Sequence, residues 1–487
     1  MEGYEGAIVL DPTPGIYLDD PIAVMDYASL YPSSIIEKNC SHETQIEDMS
    51  LIEKFTENED YYKVTYENWV YRLKGKGNTV DKVIHETEKE KTCYFLTHEF
   101  MEKHGLGSKG IIPKVLEHLL EARKATKKRM KAEPDEFKYK VLDGLQLAYK
   151  VTANSVYGQL GARTSTVYKM NLAACTTAIG RSRINDASRG IEKWAEDAGR
   201  DKPEVIYGDT DSIFVKFSRQ KEGELLVGKE ALRDSIACGI SAGKYITDMI
   251  HEEQGHGQQV LEYEKTFWPF ILISKKRYTG DKYEFNTEDC KRTSMGIVLK
   301  RRDNAPIVKY VFGNVIEIIM MEKDFEKAKA WLIDTLQNIR SGHFDLSKFI
   351  ITKSLRGYYK NPKQIAHKVL ADRMAERDPG NKPKSNDRIP YAYIKLDEEI
   401  TKDTKNPYKR GKRKGLARDI HVMQGDRIEH VDYIRLHNKV LDYDFYITNQ
   451  IMNPVKQVLD LHMDPKETES LFAEIIAKID KDKEKKI

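Results

Sequence analysis

Three aspartates stand where strand-like runs end. Asp26 closes the apolar run Ile22-Ala23-Val24-Met25 and opens Asp26-Tyr27-Ala28-Ser29-Leu30-Tyr31-Pro32-Ser33. Asp209 and Asp211 share the turn Tyr207-Gly208-Asp209-Thr210-Asp211-Ser212. Carboxylates at the ends of neighbouring strands can hold two divalent cations about 3.5–4 Å apart, the arrangement used for in-line phosphoryl transfer. Oxygen-only ligands with open positions suit Mg2+, which keeps water and substrate phosphates in its shell. An aspartate at a strand end is also a common turn former, and Gly-Asp-x-Asp alone is a short signal. A helical pattern over residues 141–157 adds weight to the metal reading. Gln146, Lys150, Asn154 and Tyr157 fall on one face, with Val141, Leu142, Leu145, Ala148, Thr152 and Val156 opposite. A lysine, an asparagine and a tyrosine in one row can meet a triphosphate and a nucleoside in order. Arg123 ends an earlier apolar stripe, with Lys127 one turn on. It either snorkels from that stripe or presents a fixed guanidinium to phosphate oxygens.

The hydropathy pattern sets out the scaffold around these residues. Residues 4–31 read as two strands, Ala7-Ile8-Val9-Leu10 and Ile22-Ala23-Val24-Met25, parted by the Pro/Gly-rich residues 11–15. Residues 44–105 are mixed, with short strand-like pieces at Trp69-Val70-Tyr71 and Cys93-Tyr94-Phe95. The period then changes. Ile112, Val115, Leu116, Leu119 and Leu120 mark an amphipathic helix, and Glu133-Pro134-Asp135 separates it from the second helical pattern. Two antiparallel helices thus project between strand-rich regions. After Gly161 comes a further helical stretch, and then Val205-Ile206-Tyr207 and Ile213-Phe214-Val215 flank the Asp209/Asp211 turn as a hairpin. Beyond Ile297 the pattern is mainly helical (307–321, 325–340, 363–377), with a loop at 378–383 and no repeats or low-complexity tracts.

At 487 residues the chain exceeds one ordinary core and suggests about three structural units. Its 40% hydrophobic and 32% charged residues exclude a disordered chain. No apolar run approaches the ~20 residues of a membrane span, and the glutamate-bearing N-terminus is unlike a signal peptide. The five cysteines form no C-x-x-C pair, which argues against a zinc knuckle or a disulfide framework and for reduced thiols in a cytosolic or nuclear compartment. The net charge is only +3, but residues 123–131 hold six basic and no acidic residues, and residues 405–418 hold seven and none. Lys275-Lys276-Arg277 and Lys300-Arg301-Arg302 add two clusters. Together they fit a face that grips a polyanion; singly they fit solvated surface.

Several of these segments resemble the signatures of one family. Asp26-x-x-Ser29-Leu30-Tyr31-Pro32-Ser33 is similar to motif A of the family B DNA polymerases. Lys150-x-x-x-Asn154-Ser155-x-Tyr157-Gly158 is similar to their motif B, and the Asp209/Asp211 turn to their motif C. Lys275-Lys276-Arg277-Tyr278 matches the basic motif that holds the primer terminus. Tyr4-Glu5-Gly6-Ala7 resembles the element between the exonuclease and polymerase halves. These five motifs keep family order over residues 4–278, and Lys300-Arg301-Arg302-Asp303-Asn304 and Glu376-Arg377-Asp378-Pro379-Gly380 look like the family's thumb. Residues 378–383 and 443–461 resemble polymerases of large nucleocytoplasmic DNA viruses.

The resemblance implies an α+β fold: a right-hand polymerase with an antiparallel-sheet palm, two-helix fingers and a mainly helical thumb. Its parts would be palm at 1–110 and 163–300, fingers at 111–162 and thumb at 301–487. The implied activity is template-directed addition of deoxynucleotides to a primer 3′ end by two-metal phosphoryl transfer, in DNA replication. Asp26 and Asp211 would hold two Mg2+ ions, with Asp209 beside them. Arg123, Lys127, Lys150 and Asn154 would clamp the triphosphate, helped by the backbone amides of Ser29 and Leu30. Tyr31 would stack under the sugar and exclude a 2′-hydroxyl, and Tyr157 would line the nascent base pair. Tyr4, Lys275, Lys276, Arg277, Tyr278, Arg301 and Arg302 would contact DNA.

The implied partners are primer–template DNA, dNTPs, a processivity clamp and a separately encoded exonuclease half, with no membrane. The family's exonuclease carboxylates lie upstream of the Tyr4 element, so no exonuclease domain is expected in this chain. The cysteine modules that end the nuclear replicative members are missing too. The expected location is intracellular, in the host nucleus or a cytoplasmic viral factory if the chain is viral. Two other readings compete. A retired polymerase kept for DNA binding sits poorly with intact Asp26, Asp209, Asp211 and Lys150. A nucleotide cyclase on a similar palm leaves the motif B helix and the Lys275 motif unexplained.

Overall fold

In the computed structural model, which describes residues 2–73, 83–254, 257–395 and 423–473, the chain divides into two compact units. The first comprises Met1–Thr13, Asp19–Pro269 and Asp281–Arg292; the second comprises Pro14–Leu18, Phe270–Gly280 and Thr293–Ile487. Chain length suggested about three. The difference arises because the two long projecting helices enclose no core of their own and share one with their neighbours.

Elements of the first unit begin with β1 (Glu2–Tyr4) and β2 (Val9–Leu10), and β3 (Gly15–Tyr17) follows in the second unit. Then come β4 (Ile22–Tyr27), α1 (Leu30–Glu37), β5 (Gln45–Ile46), the short α2 (Met49–Ile52), β6 (Tyr61–Leu73), β7 (Val83–Leu96) and α3 (His98–Lys103). The long helices α4 (Ile111–Lys131), α5 (Glu136–Gly161) and α6 (Met170–Asp197) lead into the hairpin β8 (Glu204–Asp209) and β9 (Ser212–Lys216). A small hairpin, β10 (Gln220–Lys221) and β11 (Glu224–Leu225), precedes α7 (Gly228–Gln254), β12 (Leu261–Ser274) and β13 (Arg277–Tyr283). Among the described residues no helix is long and apolar enough to cross a membrane.

The main sheet of the first unit is antiparallel, with neighbours in the order β12, β4, β9, β8, β2. Ala23, Met25 and Tyr27 of β4 and Ile213 and Val215 of β9 pack on Ile184, Ile191, Trp194, Leu232 and Ile246 of α6 and α7. At about 1.5–3 kcal/mol for each fully buried side chain, this layer anchors β4 firmly. Side chains alternate along a strand, so Ile22, Val24 and Asp26 face the other way. One face holds the strand and the opposite face presents the carboxylate.

A second sheet runs β1, β6, β7, β5. The sequence showed only short strand pieces here, yet β6 and β7 are 13 and 14 residues long. The alternation of buried Tyr62, Val64 and Tyr66 with exposed Lys63, Thr65 and Glu67 gives the reason: one face is covered and the other wet. This sheet, α1 and α6 share a core with the bases of α4 and α5, through Ile35, Tyr66, Phe95, Leu116, Ala153, Leu160 and Cys175.

The break at Glu133-Pro134-Asp135 forms as the sequence predicts, and Asp135 caps α5 by accepting from the Lys138 amide at 2.8 Å. The covered side of α5 is a narrow seam of Leu142, Gln146, Tyr149, Ala153, Val156, Tyr157 and Leu160. Gln146 and Tyr157 therefore lie in the packed seam, whereas Lys150 and Asn154 stay exposed. Val141, Leu145, Ala148 and Thr152 are exposed too. A helix packed along one side buries only one stripe, whatever the hydropathy of the rest.

The second unit has its own core, with Phe312 and Leu332 from the helices Pro306–Glu317 and Phe325–Arg340, Phe349, Tyr391 and Tyr446. A three-stranded antiparallel sheet (Ile351–Ser354, Arg388–Tyr393, Ile428–His430) lies within it. In this unit β3, which begins at the last residue of the Pro/Gly-rich break, pairs with Phe270, Ile271 and Leu272, a short strand that the sequence reading did not include. The turn into β13 holds Lys276 at φ 61°. A Cβ on Gly296 would lie 2.1 Å from the Lys276 carbonyl oxygen, so only glycine fits there.

Candidate active site

One register row crosses the main sheet. Val9 lies opposite Asp209, Asp209 opposite Ser212, Ser212 opposite Asp26, and Asp26 opposite Glu262. Directly opposed residues of antiparallel strands share a face. Asp209, Ser212, Asp26 and Glu262 therefore project together, one strand spacing of about 4.8 Å apart. The β8–β9 turn consists of Thr210 and Asp211 alone, with Thr210 at φ 61° as such two-residue turns require. The Tyr27 amide donates to the Asp211 carbonyl at 2.8 Å, fastening the turn to the end of β4. The Asp209 carboxylate is engaged within its own hairpin, accepting from the Tyr207 hydroxyl and Thr210 Oγ1 at 3.1 Å each.

Burial, then the Asp211 charge, then Glu264 push the Asp26 carboxyl up to about 8, while Lys265 and Lys150 draw it back. Asp211 is raised as well, chiefly by burial, with Asp209 and Glu264 adding repulsion. A group of acids that repel one another in partial burial is a site that favours cations. Glu262 and Glu264 were missed by sequence reasoning. Leu261-Glu262-Tyr263-Glu264 reads as a plain alternating strand, and only the pairing register sets Glu262 against Asp26. A bulge between Tyr263 and Lys265 leaves Glu264 without a partner in β4.

Cations face this acidic row. Lys150 lies close enough to Asp26 and Asp211 to stabilise both carboxylates. Arg123 donates from Nε to Gln146 Oε1 at 3.3 Å and from Nη1 to Ser29 Oγ at 3.5 Å. Burial lowers the Arg123 pKa and Glu262 counters it. Lys127 is lowered by burial and then by Arg123, with Glu262 again opposing. Arg123, Lys127 and Lys150 thus gather on α4 and α5 around one acidic neighbourhood. Ser29, at φ 56° and ψ 53°, starts α1 without a side-chain cap, so its first-turn amides remain free of that competitor.

Tyr31 packs on Tyr157 with ring centroids 4.6 Å apart, and the Tyr157 and Tyr4 hydroxyls lie at 3.5 Å. The Tyr31 hydroxyl is raised by burial first, then by Tyr157 and Asp211, which sets this ring beside the acids. Gly180 of α6 makes room: a Cβ there would meet Tyr31 Cε1 at 3.0 Å and Leu30 Cδ2 at 3.3 Å. Behind them, Arg183 binds Glu37 and Asp186, both at 2.6 Å, and its carbonyl accepts from the Tyr27 hydroxyl at 2.7 Å. That buried network ties α1, α6 and β4 together; nothing in sequence spacing marked it.

Asn154 is exposed on α5. Lys275, Lys276, Arg277, Tyr278, Arg301 and Arg302 belong to the second unit, where Arg301 pairs with Asp303 at 3.0 Å. The basic run at 405–418 lies outside the described residues. Among the described residues no group of three or more His, Cys, Asp or Glu side chains closes around one point. Asp26 and Asp211 carry carboxylate oxygens, hard donors of the kind that Mg2+ takes.

The family model for DNA polymerase family B matches residues 1–462, and the chain belongs to that family. It is 42% identical to a DNA polymerase of Pyramimonas orientalis virus, over 95% of this chain and 38% of that protein. It is 31% identical to the DNA polymerase delta catalytic subunit of Caenorhabditis elegans, over 94% of this chain and 36% of that one. The solved structure of the family B DNA polymerase from the archaeon Pyrobaculum calidifontis matches with a TM-score of 0.54 and 25% identity, over 93% of this chain and 46% of that one. The chain thus spans less than half the length of these relatives.

Proposed function

We propose that this chain carries the template-directed DNA-polymerising site of a family B enzyme, taking primer–template DNA and dNTPs as substrates. One observation carries the reading. Asp26, Asp209, Asp211 and Glu264 gather at one end of the sheet, and Arg123, Lys127 and Lys150 stand beside them on two helices. In this reading residues 1–110 and 163–300 act as palm, 111–162 as fingers and 301–487 as thumb.

Asp26 and Asp211 would hold two Mg2+ ions, which when bound supply the charge neutralisation that in-line displacement at a phosphorus needs. The chain's own residues do the rest by binding and orientation. Arg123 takes two phosphate oxygens through its planar fork, and Lys127 and Lys150 add point charges to the same triphosphate. The first-turn amides of Ser29 and Leu30 donate to phosphate oxygens at the start of α1. Tyr31, braced by Tyr157 and by its packing against Gly180, forms the floor under the sugar and leaves no room for a 2′-hydroxyl. Asp209 keeps the hairpin in shape through its two hydroxyl partners. Asn154, exposed on α5, and Tyr157 face the incoming nucleotide. Tyr4, Lys275, Lys276, Arg277, Tyr278, Arg301 and Arg302 hold the DNA.

The test is primer extension by the purified chain with Mg2+ and four dNTPs. The parent extends, and Asp211→Ala slows extension by about a thousandfold or more, equivalent to at least ~4 kcal/mol. A parent that does not extend a primer would sink the reading. An Asp211→Ala variant that extends as fast as the parent would sink the metal assignment.

A further inference from the structure

The end of the α4–α5 hairpin carries a surface that neither the acidic site nor the folding of these helices uses. Phe137 is 76% exposed and Tyr139 43% exposed, at the start of α5. Around them Lys128, Arg129, Lys131, Lys138 and Lys140 are all exposed. Lys140 pairs with Glu136 at 2.7 Å, but Lys128, Arg129, Lys131 and Lys138 form no ion pair among the described residues.

Helix stability accounts for only half of this. Cations in the last turn of α4 (Lys128, Arg129 and Lys131) favourably oppose the helix dipole. Lys138 stands in the first turn at the opposite, positive end of α5, where the same dipole disfavours it. A phenylalanine three-quarters exposed beside it gains nothing from burial. The acids of the tip are engaged, Glu133 by the Asp135 amide, Asp135 by the Lys138 amide and Glu136 by Lys140, so the cations without an ion pair, next to two open rings, make a surface suited to a ligand that is both anionic and flat. Duplex DNA hides its base faces, whereas a single strand offers phosphates and unstacked rings together.

We propose that the hairpin tip, residues 128–140, binds single-stranded nucleic acid, and that in the family B reading above its ligand is the unpaired template strand. Phe137 stacks on a base, Tyr139 offers a second ring, and Lys128, Arg129, Lys131 and Lys138 meet the backbone phosphates. The assignment of the strand as template rests on the proposed polymerase function; the binding itself does not.

The experiment titrates fluorescent oligothymidylate with the parent chain, with Phe137→Ala and with Lys128→Gln/Arg129→Gln/Lys131→Gln/Lys138→Gln, across a range of salt. Circular dichroism checks that each variant keeps its helices. Phe137→Ala should weaken binding by roughly five- to a hundredfold at fixed salt, the effect of removing one stacking platform. The charge variant should lower the slope of log affinity against log salt by about 0.7 for each phosphate it no longer neutralises. Both variants should still extend a primer whose template overhangs by one nucleotide, as fast as the parent does. Oligothymidylate binding and salt slope unchanged in both variants would overturn the proposal. So would a Phe137→Ala variant whose only change is altered self-association, since the tip would then be a protein-binding surface. If the parent binds oligothymidylate through the tip yet extends no primer, the tip stands and the polymerase reading falls.

Discussion

The first unit holds opposite charges in two different ways. Asp26 and Asp211 are set by a strand end and a two-residue turn, fastened through the Tyr27–Asp211 backbone bond and backed by the buried Arg183–Glu37 pair. Arg123, Lys127 and Lys150 ride on long side chains from two helices whose shared seam is narrow. The acids cannot move apart to relieve their repulsion, whereas the cations can adjust by rotamer. A fixed acidic pair demands a counter-ion at a defined place, and adjustable cations can follow a substrate that arrives and leaves. The sheet is built to keep a geometry and the helical pair to accept a change.

The sharpest way to break that contrast is at the acids. Asp26→Asn combined with Asp211→Asn should reduce primer extension by about a thousandfold or more. The same variant should melt no lower than the parent in the absence of metal, because it removes repulsion. Added Mg2+ should raise the parent's Tm by a few degrees and leave the variant's unmoved, as expected when an ion binds only the folded form. A metal-induced shift that persists in the variant would place the ions elsewhere.

At the cations the expected losses are smaller. Arg123→Lys and Lys150→Ala should each lower kcat/KM for dNTP by roughly ten- to a hundredfold, the range for removing a charged hydrogen bond. Neither should change the Mg2+-induced Tm shift. Loss of that shift in Lys150→Ala would mean the two charge sets form one rigid body, and the contrast would collapse.

Tyr31 sits where the two sets meet, with its ring on Tyr157 and its hydroxyl raised in part by Asp211. Tyr31→Ala should increase ribonucleotide incorporation relative to deoxyribonucleotide by about tenfold, through removal of a steric block. An unchanged ratio in competition assays would remove Tyr31 from sugar selection. The smallest effect belongs to Gly180→Ala. The new methyl would press on Tyr31 Cε1 from 3.0 Å, while alanine favours the helix by about 0.5–1 kcal/mol over glycine. Stability should change by less than ~1 kcal/mol, and the same incorporation ratio should shift a few-fold. A ratio identical to the parent's would show that the ring has slack.

Much of the site was legible from sequence because its chemistry is concentrated in short segments. The apolar run before Asp26 and the flanks of the Asp209/Asp211 turn announce strands by composition, and a two-residue turn between strands can form little but a hairpin. The spacing of Arg123 and Lys127, and of Lys150 and Asn154, follows from helical periodicity. These are local constraints, carried within one or two turns of chain. Glu262 and Glu264 were invisible for the opposite reason. Whether Glu262 faces Asp26 depends on the β4–β12 register between residues more than 230 positions apart, and Glu264 owes its place to a bulge in that pairing. A one-residue slip would have turned Glu262 to the other face. The covered side of α5 was likewise decided by its neighbours, since Val141, Leu145 and Ala148 are apolar enough to be buried yet stay exposed. Local propensity determined which residues could carry the chemistry. Long-range pairing and packing decided which of them share a face, because register and burial depend on partners far away along the chain.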